Sequence, residues 1–221
     1  MGKKAILLGA SGLTGSSLLT QLLADNNYRE VLTVGRKQLD TAHPKLKQLM
    51  VDFDRLSDYS DEIQGDVVFC CLGTTKSKTP NLEQYKKIDY QYPLDVAKIA
   101  LQNGATQYHL VSALGADVKS RIFYSRLKGE VERDLQKIPF KSIHIYRPSL
   151  LDGDRKEMRF AENFATITMR LLNPLLIGSL RKYRSIKTEK VALAMLKKSL
   201  EENSGTFIYP SDEIERISNK T

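Results

Sequence analysis

A doubly wound parallel α/β sheet is the fold class this sequence predicts, with a small C-terminal segment that breaks its rhythm. Apolar runs too short to be helices alternate with segments of helical period through the first 150 residues or so. A glycine cluster, Gly9-Ala10-Ser11-Gly12-Leu13-Thr14-Gly15, falls directly between the first such run and the first helical pattern. A tyrosine and a lysine, Tyr124 and Lys128, stand four apart on a later helical pattern and so share one helical face.

Ala5–Leu8 reads as the first strand, and Leu13, Leu18, Leu19, Leu22 and Leu23 give the helix after it its apolar stripe. Glu30–Val34, Gln48–Phe53, Asp66–Cys71, Tyr108–Ser112 and Ser142–Tyr146 follow as strands, each an apolar or alternating run of strand length. Helical patterns at Leu56–Ile63, Leu94–Leu101 and Phe123–Leu135 lie between most of them, and this βαβ succession argues for a parallel sheet with helices on both faces. After Pro148 the pattern changes: residues 153 to 184 are charged and show no strand. Thr188–Leu200 then reads as an amphipathic helix with Thr188 as N-cap, and Thr206–Tyr209 as a last short strand. With no repeat, linker or second core pattern, residues 1–221 read as a single domain, 153–184 being a lid or substrate segment.

The chain has 34 Lys and Arg against 26 Asp and Glu, a formal net charge of +8, and nine basic against three acidic residues lie between Arg155 and Lys190. A charge excess of this kind suits nucleic acid, an acidic membrane surface, an anionic small molecule or simply a solvated face. The basic segment has few aromatics for base stacking and no nucleic-acid motif, so no nucleic-acid partner is expected. The two cysteines, Cys70 and Cys71, are adjacent in a strand and point to opposite faces, so a reduced, cytoplasmic protein is expected. The longest apolar run, Leu171 to Leu180, is broken by Asn173 and Pro174, so no membrane span is expected, and with so early a first strand no signal peptide is expected either. Nothing suggests a metal site. A monomer or small homo-oligomer acting on a small-molecule substrate is expected.

In a Rossmann-type sheet the first strand delivers a tight turn into a helix whose N-terminal amides receive a pyrophosphate. Gly9, Gly12 and Gly15 have the spacing for that turn, and Ser11, Leu13 and Thr14 lie within it. A carboxylate about 20 residues further on would mark a free ribose hydroxyl, and an arginine a ribose phosphate. Gly35 stands at that place, followed by Arg36 and Lys37, so NADPH/NADP is favoured over NAD. Asp52 and Phe53 would fall beside the adenine, and Gly73 and Thr74 would let backbone approach the ribose. A hydride delivered to a carbonyl leaves an oxygen that needs a proton, and Tyr124, with the Lys128 ammonium beneath it, is the candidate acid and base. Ser112, at a strand end twelve residues earlier, can hydrogen-bond the substrate oxygen.

The glycine loop, Ser112 and Tyr124-x-x-x-Lys128 resemble the short-chain dehydrogenase/reductase superfamily in its atypical or extended branch. A closer likeness within that branch runs through Val51-Asp52-Phe53, Cys70-Cys71-Leu72-Gly73-Thr74-Thr75, Gly115-Ala116-Asp117, Lys128-Gly129-Glu130-Val131-Glu132 and Arg147-Pro148, covering about residues 5 to 150. The resemblance implies an NADPH-binding domain, with Ser112, Tyr124 and Lys128 as the catalytic set and Leu72, Arg147, Pro148 and Leu150 bordering the cofactor. It also places Asp89 where many members carry an asparagine that supports the lysine through water; the carboxylate would hold the ammonium directly. The activity implied is an NADPH-dependent reduction of a small carbonyl, the alternative being a protein that senses NADPH without turnover, as some atypical members do.

Overall fold

The computed structural model describes residues 2–152 and 178–220. Seven parallel strands form one sheet: β1 (Lys3–Leu8), β2 (Tyr28–Gly35), β3 (Leu46–Met50), β4 (Val67–Cys70), β5 (Gln107–Val111), β6 (Ser142–Arg147) and, after two short strands, β9 (Gly205–Pro210). Their order is β3-β2-β1-β4-β5-β6-β9, so the winding direction reverses between β1 and β4. A crevice at the carboxyl ends of the strands beside that reversal is where such sheets bind ligands. The two short strands, β7 (Leu151–Asp152) and β8 (Ile186–Lys187), pair with each other apart from the sheet.

Period-two alternation divides the core. One face packs Ile6, Leu8, Val68, Tyr108, Leu110, Ile143 and Ile145 against α3 (Tyr92–Gln102) and α4 (Phe123–Leu135). The other packs Ala5, Leu7, Val67, Phe69 and Tyr146 against α1 (Leu13–Ala24) and two C-terminal helices, α5 (Thr188–Ser199) and α6 (Ser211–Asn219). On this second face Phe69, His109, His144 and Phe207 are partners in register across four adjacent strands. Their rings form a row with centroid spacings of 4.9, 4.4 and 5.1 Å. Burial lowers the pKa of both histidines, His109 well below its ordinary value and His144 to about 4.

Several elements depart from the sequence expectation. The third strand ends at Met50, because the Asp52 side chain accepts the Asp54 N–H at 3.0 Å and turns the chain into a 3-10 helix, Phe53–Glu62. That helix stands where an α-helix over Leu56–Ile63 is expected. Thr188 is not an N-cap: Lys187 takes that place, and Thr188 is a buried residue of the first turn. Two helices were not foreseen. One is α2 (Leu82–Lys86), which runs through a π-helical turn, Lys87–Gln91, into α3; it is short and offers little periodicity. The other is α6, whose buried stripe rests on only two apolar residues, Ile214 and Ile217. Of the expected lid, residues 153–177 lie outside the described residues, and Gly178–Tyr183 is a 3-10 helix.

Candidate active site

At the end of β1 the chain turns at Gly9, whose φ of +75° is in the left-handed region. A Cβ there would lie 2.5 Å from the Cys71 carbonyl oxygen, and a Cβ on Gly15 would overlap the carbonyl oxygen of Gly9. The first turn of α1 therefore packs directly on the strand end. Gly12, its N-cap, donates its N–H to the Gly9 carbonyl at 2.9 Å and has no side chain to satisfy the helix amides. Ser11 and Gly12 are exposed, Leu13 is half-buried, and Thr14 is buried under the turn.

A cavity of about 310 Å³ opens from this turn toward β2 and β3, within the size range of ligand pockets. Its wall includes Gly9, Ser11, Arg36, Lys37, Phe53 and Leu72 from the expected cofactor set, and also Thr33, Gln38, Leu39 and Gln48. Asp52 is not part of that wall; it is exposed and spent on the cap. The residues fit a dinucleotide: a turn packed too tightly for a side chain at Gly9 or Gly15, a helix N-terminus with no side-chain cap, and exposed cationic side chains at the far end.

Across the reversal point lies a second group. Lys128, on α4, is 3% exposed, and its ammonium is 2.8 Å from Asp89 Oδ1. The other Asp89 oxygen accepts the Thr74 N–H at 2.9 Å, so the carboxylate ties the helix to the loop after β4. Gly73 lies against this pair, where a Cβ would stand 3.6 Å from Asp89 Oδ1. Burial opposes the Lys128 charge, but Asp89 and the Tyr124 phenol outweigh it, and the lysine pKa is raised. Tyr124 is 41% exposed, with the Lys128 ammonium 5.9 Å from its ring centroid. Lys128, Asp89, Gly73, Thr74 and Tyr124 are thus brought together.

Ser112 is placed differently from the expectation. Continuing the alternation of Tyr108 and Leu110, it faces α4, and its hydroxyl donates to the buried carboxylate of Glu132. Arg147, in the equivalent position after Ile143 and Ile145, donates Nε to Glu132 at 3.0 Å and Nη2 to its other oxygen. The hydroxyl expected to meet a substrate oxygen and the guanidinium expected to border the cofactor are thus joined in one network beneath the site. Pro148 accepts the Leu114 N–H at 2.9 Å, and the half-exposed Leu150 accepts the Ile186 N–H at 3.0 Å.

Sequence reasoning gave no role to three further residues. Tyr85 donates its hydroxyl to the Thr74 carbonyl at 2.9 Å. Glu132, one turn beyond Lys128, is the acceptor of the network just described. Gly129 lets α4 approach the Asp117–Val118 backbone, which a Cβ would overlap, and a glycine inside a helix is the signal for such an approach. Among the described residues no cluster of metal-binding side chains occurs, and no helix is long and apolar enough to cross a membrane.

A family model described as the NAD dependent epimerase/dehydratase family matches residues 5–209, well beyond the stretch that carried the sequence resemblance. Protein HTATIP2 of Rattus norvegicus is 38% identical over 164 residues, covering 72% of this chain and 67% of the relative. Protein FMP52, mitochondrial, of Candida albicans is 31% identical over 222 residues, 96% of this chain and 97% of the relative. Among solved structures, the Bordetella bronchiseptica enzyme WbmH in complex with NAD+ superposes with a TM-score of 0.71 at 15% identity, covering 99% of this chain and 80% of that one. The expectation of a cytoplasmic protein is overturned by the relatives named mitochondrial. Reduced cysteines such as Cys70 and Cys71 suit any reducing compartment and so do not choose among them. With its seven-stranded NAD(P)-binding fold, the chain belongs to the NAD dependent epimerase/dehydratase family.

Proposed function

We propose that the protein is an NADPH-dependent oxidoreductase that reduces a small carbonyl compound. The observation that carries this reading is the buried Lys128–Asp89 pair behind a half-exposed Tyr124, at the same sheet edge as the glycine cradle. Gly9 to Gly15 and the α1 amides would hold the pyrophosphate, and Arg36 and Lys37 the ribose phosphate. The bound nicotinamide would supply a hydride to the carbonyl carbon. Tyr124 Oη gives its proton to the carbonyl oxygen and regains one from solvent, to which its exposure leaves it open. Lys128, kept charged by Asp89, stabilises the tyrosinate formed in between. Ser112 and Arg147 act from beneath, fixing the ends of β5 and β6 to α4 through Glu132.

One observation favours the second reading, NADPH binding without turnover. The Ser112 hydroxyl, which would orient a substrate, is donated to Glu132. Dissociation constants for NADPH and NADH, followed by NADPH oxidation with a panel of small aldehydes and ketones, separate the two readings. We expect NADPH to be preferred, and Tyr124→Phe to bind it normally while turnover falls by a factor of about 100 or more. Tyr124→Phe turning over at the wild-type rate would remove the tyrosine from the chemistry. Tight NADPH binding with no oxidation across the panel would favour the sensor.

A further inference from the structure

The crossover from β2 to β3 is an irregular loop rather than a helix, and it holds the two cations of the cofactor cavity, Arg36 and Lys37, both exposed. A loop without its own ladder needs partners for its backbone groups. Gln48 supplies them. Its Oε1 accepts the Leu39 N–H at 2.7 Å, and its Nε2 donates to the carbonyls of Leu39 at 3.2 Å and Thr41 at 3.2 Å. Both of its donors and one acceptor position are used on this one loop, and the reversed amide would face each partner with the wrong group. Gln48 itself sits on a rigid strand, in register with Thr33 of β2, three residues before Arg36. Gln48 and Leu39 also belong to the cavity wall.

We propose that Gln48 is a specificity-positioning residue: by fixing the loop from Arg36 to Thr41 it holds the cations where they select a cofactor with a phosphate on its adenosine ribose over one with a free hydroxyl. This rests on the NADPH reading above. A charge-assisted contact to phosphate depends on where the guanidinium is held, whereas the glycine cradle, which serves both cofactors, makes no hydrogen bond to Gln48. Loss of the three hydrogen bonds therefore weakens NADPH binding more than NADH binding. A residue that only supported the fold would weaken both alike.

The test compares dissociation constants of NADPH and NADH for the wild type, Gln48→Met, Gln48→Ala and Arg36→Ala, with a thermal melt for each. Gln48→Met keeps the side-chain length and removes every hydrogen bond, so it guards against collapse of the fold. The NADPH to NADH preference is expected to fall about tenfold in both Gln48 variants, NADPH binding weakening by that factor more than NADH binding. Equal weakening of both cofactors in the Gln48 variants, or an unchanged ratio in them while Arg36→Ala abolishes the wild-type preference, overturns the assignment while leaving the NADPH reading in place. A wild type that binds the two cofactors alike overturns both.

Discussion

Gly9, Gly12 and Gly15 shape one side of the crevice by lacking side chains, and they do so within one turn of chain. Asp89, Ser112, Lys128, Glu132 and Arg147 shape the other side by pairing charges and hydroxyls contributed by separate strands, helices and a π-helical turn. The first half depends on sterics that no solvent condition alters, and the second on the mutual satisfaction of groups that are expensive to bury alone. A steric cradle can therefore be damaged locally, whereas a buried polar network fails as a unit.

The hardest blow to that contrast is Glu132→Ala. It leaves Arg147 and the Ser112 hydroxyl without their acceptor and should lower the unfolding free energy by about 2 to 4 kcal/mol, less than for a fully buried pair because Arg147 keeps some access to water. Urea unfolding measures it, and a loss below about 1 kcal/mol would show that the contacts of Ser112 and Arg147 with Glu132 contribute little.

Acid tests the support common to both halves. His109 and His144 have depressed pKa values in the folded state, so the unfolded chain binds more protons as the pH falls. The stability they confer is complete above about pH 6.5 and is lost as the pH drops toward 4; for His144 alone the loss should reach about 3 kcal/mol by pH 4. A flat unfolding free energy between pH 6.5 and 4.5 would mean that these rings are charged in the fold.

Gly15→Ala attacks the cradle instead. Its methyl must displace the Gly9 carbonyl, which should cost about 1 to 3 kcal/mol and fall chiefly on NADPH affinity, read by fluorescence titration. Wild-type affinity would show that the turn has room to spare.

The smallest expected effect is that of Ser112→Ala, about 1 kcal/mol in stability with NADPH binding unchanged. A hundredfold fall in kcat without loss of stability would instead bring this hydroxyl to the substrate.

The contrast also explains what was legible in the sequence. A glycine spacing between a strand and a helix states its constraint locally, and the strands, α1 and α4 were readable because their periodicity lies within a few turns of chain. The 3-10 helix beginning at Phe53 was less so, because a capping aspartate, Asp52, overrode an apolar pattern that suited a longer strand. The Ser112–Glu132–Arg147 network required knowing which side of the sheet each strand end faces. Parity along β5 and β6 held that information, since Ser112 follows Tyr108 and Leu110 as Arg147 follows Ile143 and Ile145. Only the position of α4 turned parity into contact. The anchoring by Gln48 had no sequence signal, because a glutamine on an edge strand reads as solvated.

The π-helical turn at Lys87–Gln91 makes chain length, rather than residue identity, the fragile quantity at the Lys128–Asp89 pair. Deleting one residue there would close the turn into ordinary α-helix, swinging whatever precedes it by about 100° and sliding it about 1.5 Å relative to α3. Asp89 would be carried away from Lys128 although neither had been substituted. A natural variant one residue shorter between Tyr85 and Tyr92 would then have to hold its lysine by some other means.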